Sequence, residues 1–256
     1  MTANATNSSI NWFKYAAPIR FYFLINSITP WCWAGAFIFS VVGLWIGFMI
    51  APTDAQQGDA YRIIFIHVPT AWLSMVLYVA MAFWGSIGLI FKAKLAYRLS
   101  NAIAPTGALM TLIALITGAL WGKPTWGTWW VWDARLTTEL ILLFLYLGYL
   151  SLYSSIEDKN RADKASALLA LIGVINVPVI YFSVKWWNTL HQGATITMTK
   201  APSMATPMLL ALLLTTIGCW LYCFAIIFSR TQSYILERDA HSHWAQDEIQ
   251  TLGKKI

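Results

Sequence analysis

Residues 64–91 read IFIHVPTAWLSMVLYVAMAFWGSIGLIF, a run without a single Asp, Glu, Lys or Arg. A helix crosses the hydrocarbon core of a bilayer with about 20 mostly apolar residues. This run exceeds that length, so its first turns are expected at the interface. Five further runs qualify as spans, at ~31–50, ~102–121, ~137–156, ~166–185 and ~207–228. Composition agrees: of 256 residues, 58% are hydrophobic and 11% charged, and the mean hydropathy is +0.58. Soluble domains carry about 25% charged residues, so a soluble enzyme and a disordered chain are both excluded. The sequence predicts an all-α, polytopic, single-domain membrane protein of six transmembrane helices over residues 1–256, in contact with lipid.

Pro30 suits a helix start, and Pro178 beside Asn176 predicts a kink in the fifth run. Residues ~10–29 mix Trp12, Phe13, Phe21 and Phe23 with Lys14 and Arg20, the pattern of an interfacial helix. Residues 1–30 therefore read as an interfacial segment and 229–256 as a polar tail. Twelve Lys and Arg fall on the side of the two termini and five on the other. The positive-inside rule then puts both termini in the cytoplasm and the loops at ~51–63, ~121–136 and ~186–206 outside. The net charge of +6 is scattered, with no basic stripe for nucleic acid. Cys32, Cys219 and Cys223 lie in apolar runs and form neither CxxC nor CxxCH, so they read as small buried hydrophobes.

The outer loops hold the unusual residues. Trp121–Arg135 reads WGKPTWGTWWVWDAR and contains five of the fifteen tryptophans: Trp121, Trp126, Trp129, Trp130 and Trp132. Gly122, Pro124 and Gly127 are expected to stop the third helix there. An aromatic belt needs one or two Trp per helix end; five suit either a platform for a flat apolar ligand or dense packing. Asp133 and Arg135 would fix the loop or meet a polar ligand edge. His67 and His191 are the two outward histidines, and both border Trp-rich segments, whereas His241 and His243 lie in the tail. Each alone reads as an interfacial histidine satisfied by backbone or water. Together, on either side of an aromatic platform, they suit a six-coordinate haem with two axial imidazoles. Its propionates would seek Arg135, Lys123, Lys185 or Arg62.

WGKPTWGTWWVWD resembles the WWD signature of the haem-handling membrane proteins of cytochrome c biogenesis. The flanks RIIFIHVPTAW, DARLTTELILLFLYLGYL and VKWWNTLHQG match as well. Six spans and this length are similar to the smaller branch, the CcmC family, over nearly the whole chain. The resemblance implies a bacterial inner-membrane protein that binds haem b on the outer face, with His67 and His191 as axial ligands. Trp121, Gly122, Trp126, Gly127, Trp129, Trp130, Trp132, Asp133 and Arg135 belong to the loop that holds the porphyrin. It also implies presentation of haem to the periplasmic chaperone CcmE, and as partners the ABC transporter CcmA and CcmB and the small membrane protein CcmD. Such a chain is expected to be a carrier and not an enzyme. Two alternatives remain at this point, a haem permease within an ABC complex and a b-type electron-transfer cytochrome. Walker A, HExxH and GxSxG patterns do not occur in the sequence.

Overall fold

The computed structural model describes residues 16–187, 189–191 and 204–254, which form helices and connecting segments without a strand. Lipid offers no partner for backbone polar groups, so each crossing must satisfy its own. Six helical segments are long and apolar enough to cross: Pro18–Ile50, Asp59–Phe91, Lys94–Trp126, Ala134–Ser155, Lys159–Trp186 and Thr206–Arg238. The protein is a multi-pass, all-α membrane protein, as its apolar runs predict.

The boundaries differ from the sequence expectation at four places. Helix α1 (Pro18–Trp45) starts well before residue 31 and ends in a π-helical turn, Ile46–Ile50. Pro18, not Pro30, opens it. Pro30 sits inside the helix, where the carbonyl it deprives of an amide belongs to exposed Asn26. The separate interfacial helix over ~10–29 is thus replaced, from Pro18 onward, by the first turns of α1. Trp12, Phe13 and Lys14 lie outside the described residues.

The short helical turn Asp59–Ile63 leads into α2 (Ile64–Phe91), and α3 spans Lys94–Trp126. Neither Gly122 nor Pro124 stops α3. The helix ends at Gly127, whose φ of 78° is the left-handed conformation that closes helix C-termini. Asp133 caps α4 (Ala134–Ser155), accepting the Leu136 amide at 2.8 Å. Only about seven residues of the expected 121–136 loop are therefore non-helical.

The fifth span is broken into α5 (Lys159–Gly173) and α6 (Asn176–Trp186). Pro178 has no amide for the Val174 carbonyl, which instead accepts the Val177 amide at 3.1 Å. The kink expected at Pro178 thus falls one turn earlier. Asn176 Nδ2 donates to the Thr138 carbonyl at 2.9 Å and ties α6 to α4.

Helix α7 (Thr206–Arg238) runs past residue 228 into the expected tail, and a further amphipathic helix, α8 (His243–Gly253), follows. Trp244 packs against Tyr22 and Phe23, and Tyr22 donates to Glu248 at 3.1 Å. The start of α1 and the end of the chain therefore lie on one side of the bundle.

Helices α2 and α3 form the centre. Half of the apolar window of α2 is buried, against 17% for α1. Peripheral α1 leans on α7 through small residues: a Cβ on Gly43 would lie 2.7 Å from the Thr215 backbone nitrogen. Such close backbone approach is how helices associate where lipid is as apolar as leucine.

Candidate functional site

Because α3 continues to Trp126, it presents one stripe to the end of the bundle away from the termini. Ala114, Leu115, Gly118, Trp121, Gly122, Thr125 and Trp126 recur at helical spacing and line a slot. The α4 face formed by Arg135, Leu136 and Glu139 closes it, and Trp130 covers it from the connecting loop. His67 and Ala71 enter from α2, and His191 from the segment after α6. The enclosed volume is only about 60 Å³. Chambers that close around a small molecule measure about 300–1,000 Å³, so this is an open slot and not a chamber.

His67 and His191 meet across it. Their ring centroids are 6.1 Å apart and their planes 31° from parallel. His67 is buried, 8% exposed, and its Nδ1 lies 3.0 Å from Thr117 Oγ1. The Trp121 ring stands edge-on to it at 5.6 Å, and Trp126 stands against His191 at 6.2 Å. Trp121 is itself fixed, since its indole nitrogen donates to Gln57 Oε1 at 2.7 Å and Tyr61 packs on it at 5.8 Å. Gln57 is placed by a tight turn in which Asp54 Oδ1 accepts its amide at 2.8 Å. The loop between α1 and α2 thereby holds the aromatic wall.

Polar groups in the slot are unevenly satisfied. Glu139, 8% exposed, accepts from Ser74 Oγ at 2.7 Å. The Trp130 indole nitrogen and Asp133 Oδ2 are buried without a hydrogen-bond partner among the described residues. Arg135 forms no ion pair among them either. The other three cations considered for an anionic edge are engaged elsewhere. Arg62 caps the end of α1, donating to the Gly47 and Ala51 carbonyls at 2.6 and 3.0 Å, and pairs with Asp59. Lys123 donates to the Gly127 carbonyl at 3.1 Å and Lys185 lies over Phe182.

Of the residues singled out in the sequence, His67, His191, Trp121, Gly122, Trp126, Trp130 and Arg135 share the slot. Gly127 and Asp133 shape the two helix ends instead, and Trp129 and Trp132 point outward, 54% and 76% exposed. Sequence reasoning missed Glu139 and Thr117. Glu139 carried a signal, a carboxylate one turn after Arg135 in an otherwise uncharged helix. Thr117 carried none, because threonine in a membrane helix ordinarily bonds its own backbone.

Fold and slot together define a class: a multi-pass helical membrane protein with paired imidazoles in an aromatic cleft at one end of the bundle. The family model for CcmC, Heme exporter protein C, matches residues 11–246. The Heme exporter protein C of Haemophilus influenzae is 45% identical over 238 residues, covering 93% of this chain and 97% of that protein. That of Escherichia coli K12 is 43% identical over 243 residues, 94% and 98% of the two chains. That of Bradyrhizobium diazoefficiens is 42% identical over 227 residues, 89% and 86%. The chain belongs to the Heme exporter protein C family.

Proposed function

We propose that the protein binds haem b at the outer face of the bacterial inner membrane and presents it to the periplasmic chaperone CcmE during cytochrome c maturation. In this reading it works beside CcmA, CcmB and CcmD and is a carrier, not an enzyme. The observation that carries the proposal is the pair of imidazoles, His67 and His191, 6.1 Å apart across one aromatic cleft. Two imidazoles are too few for a zinc site, which takes three or four protein ligands. No group of three or more His, Cys, Asp or Glu stands together among the described residues. Two suit an iron that arrives with four ligands of its own.

The residues present fit such a cargo. Trp121, Trp126 and Trp130 offer flat apolar faces, and Arg135 offers a cation without an ion-pair partner among the described residues. With both axial positions filled by imidazole, haem iron has no open site for oxygen or substrate. The shallow slot would leave much of the macrocycle's rim outside, where a partner can reach it. The excess of Lys and Arg on the side of the termini supports placing the slot outside.

The test is the absorption spectrum of the purified chain with haem, alone and as His67→Ala and His191→Ala. Wild type is expected to be low-spin with one haem per chain, and each variant to lose that signature. Both variants keeping it would end the axial-ligand reading. Two haems per chain would favour a b-type cytochrome, and haem release from proteoliposomes by this chain alone would favour a permease.

A further inference from the structure

We infer that Thr117 is a positioning residue that sets the tautomer of His67, holding its proton on Nδ1 and leaving Nε2 as the lone-pair nitrogen available to the cleft. The inference rests on His67 being an axial ligand, and it concerns what prepares that ligand before haem arrives.

The argument is a count of protons. Thr117 Oγ1 carries one hydrogen and has three neighbours: the Ile113 carbonyl at 2.7 Å, the Ala114 carbonyl at 3.2 Å and His67 Nδ1 at 3.0 Å. A carbonyl oxygen only accepts. If the hydroxyl gave its hydrogen to His67, its lone pairs would face two carbonyl oxygens at contact distance. Donation to the backbone removes that repulsion and leaves the hydroxyl an acceptor toward the ring. Nδ1 must then be the protonated nitrogen. In a neutral imidazole the other nitrogen is then unprotonated, and a metal takes only an unprotonated nitrogen.

The ring is also held in place. A Cβ on the next residue, Gly118, would lie 3.1 Å from His67 Cε1, so a glycine there lets α3 sit this close without displacing the ring. Thr117 and Gly118 together form a seat: one fixes the proton and the other admits the ring. Hydrogen bonds of this kind to a ligating histidine orient it and raise its basicity, and their loss costs about 10–100-fold in metal affinity.

The test compares Thr117→Val, which keeps the shape and removes the oxygen, with Thr117→Ser, which keeps the oxygen. In the haem-free full chain with ¹⁵N-labelled histidine, NMR of the four imidazoles should show His67 as the Nδ1–H form. Thr117→Ser should retain it and Thr117→Val should not; the smaller Thr117→Ala carries the same expectation should valine disturb the helix. With haem added, Thr117→Val should bind about tenfold or more weakly with an upward-shifted midpoint potential, and Thr117→Ser should match wild type. An Nε2–H form in the wild-type chain, or a Thr117→Val protein with unchanged tautomer, affinity and potential, would overturn the inference. A low-spin spectrum that survives His67→Ala would instead defeat the axial-ligand reading, so the two failures are distinguishable.

Discussion

The end of this bundle where α1 begins and the cleft at the opposite end treat charge in different ways. At the end that carries the termini, Arg98 pairs with Asp239 at 2.6 Å and Arg238 with Asp163 at 2.7 Å. Asp163 also accepts from Asn101, which accepts in turn from Tyr149. In the cleft, among the described residues, Arg135 has no ion-pair partner and an indole N–H and a carboxylate oxygen are buried unpaired. A buried polar group without a partner costs stability, and a fold shows such groups together where something else completes them. The first site is completed by the chain itself, and the cleft leaves these groups open. Elsewhere, Tyr78 Oη and Ser166 Oγ are also buried without a partner among the described residues, and nothing in their surroundings explains it.

This contrast can be broken by substitution. The largest effect is expected from Asp163→Ala, which strands the partly buried Arg238 and removes the acceptor of Asn101. Breaking a buried pair on one side costs about 3 kcal/mol or more. Thermal unfolding in detergent should shift down by several degrees while the haem spectrum stays unchanged. A lost spectrum with intact stability would mean that the two ends are not separate in function.

Arg135→Gln should do the reverse. It removes a cation that forms no direct ion pair among the described residues but faces the carboxylates of Glu139 and Asp133, so unfolding should shift less than in Asp163→Ala, while haem binds about tenfold more weakly, roughly 1.4 kcal/mol. Titration with haem and with its dimethyl ester separates the causes, because the ester has no carboxylates to lose. Equal weakening toward both would show that Arg135 does not meet a carboxylate.

Gly127→Ala should cost about 1 kcal/mol. Its φ is 78°, and nothing lies within 4 Å of the added Cβ, so the penalty is purely one of backbone conformation. A larger loss in melting experiments would place a contact there that the turn alone does not account for. Trp132→Phe should be the smallest change, within about 0.5 kcal/mol in stability and without a spectral shift, because the side chain is 76% exposed. A spectral shift equal to that of Trp130→Phe would put Trp132 inside the cleft's reach.

The sequence made the six crossings and most of the cleft legible for one reason. In lipid an apolar run has a single solution, a helix, and residues that lipid does not call for stand out against it. His67, His191 and the tryptophans of Trp121–Trp132 stood out in this way. Where helices end was less legible. Pro30 read as a helix start, and Gly122 and Pro124 as stops, by the rules of soluble chains, yet each lies within a helix. The carbonyls that Pro30 and Pro124 release belong to the exposed residues Asn26 and Leu120. The partition of the tryptophans also needed three dimensions. Trp130 and Trp132 are two residues apart, and only the course of the short loop between α3 and α4 decides which enters the cleft and which leaves it.

The stripe along α3 has a further consequence for what this chain tolerates. Seven cleft residues, from Ala114 to Trp126, share one face of an unbroken helix, and Gly107 lets that helix sit against Tyr146 further down. Each residue added to or removed from a helix turns everything beyond it by about 100°. A one-residue deletion anywhere between Gly107 and Ala114 would leave the apolar composition intact and the span long enough. It would nevertheless swing Gly118, Trp121, Gly122 and Trp126 out of the cleft together. In this helix the length of the chain is as strict a requirement as the identity of the residues.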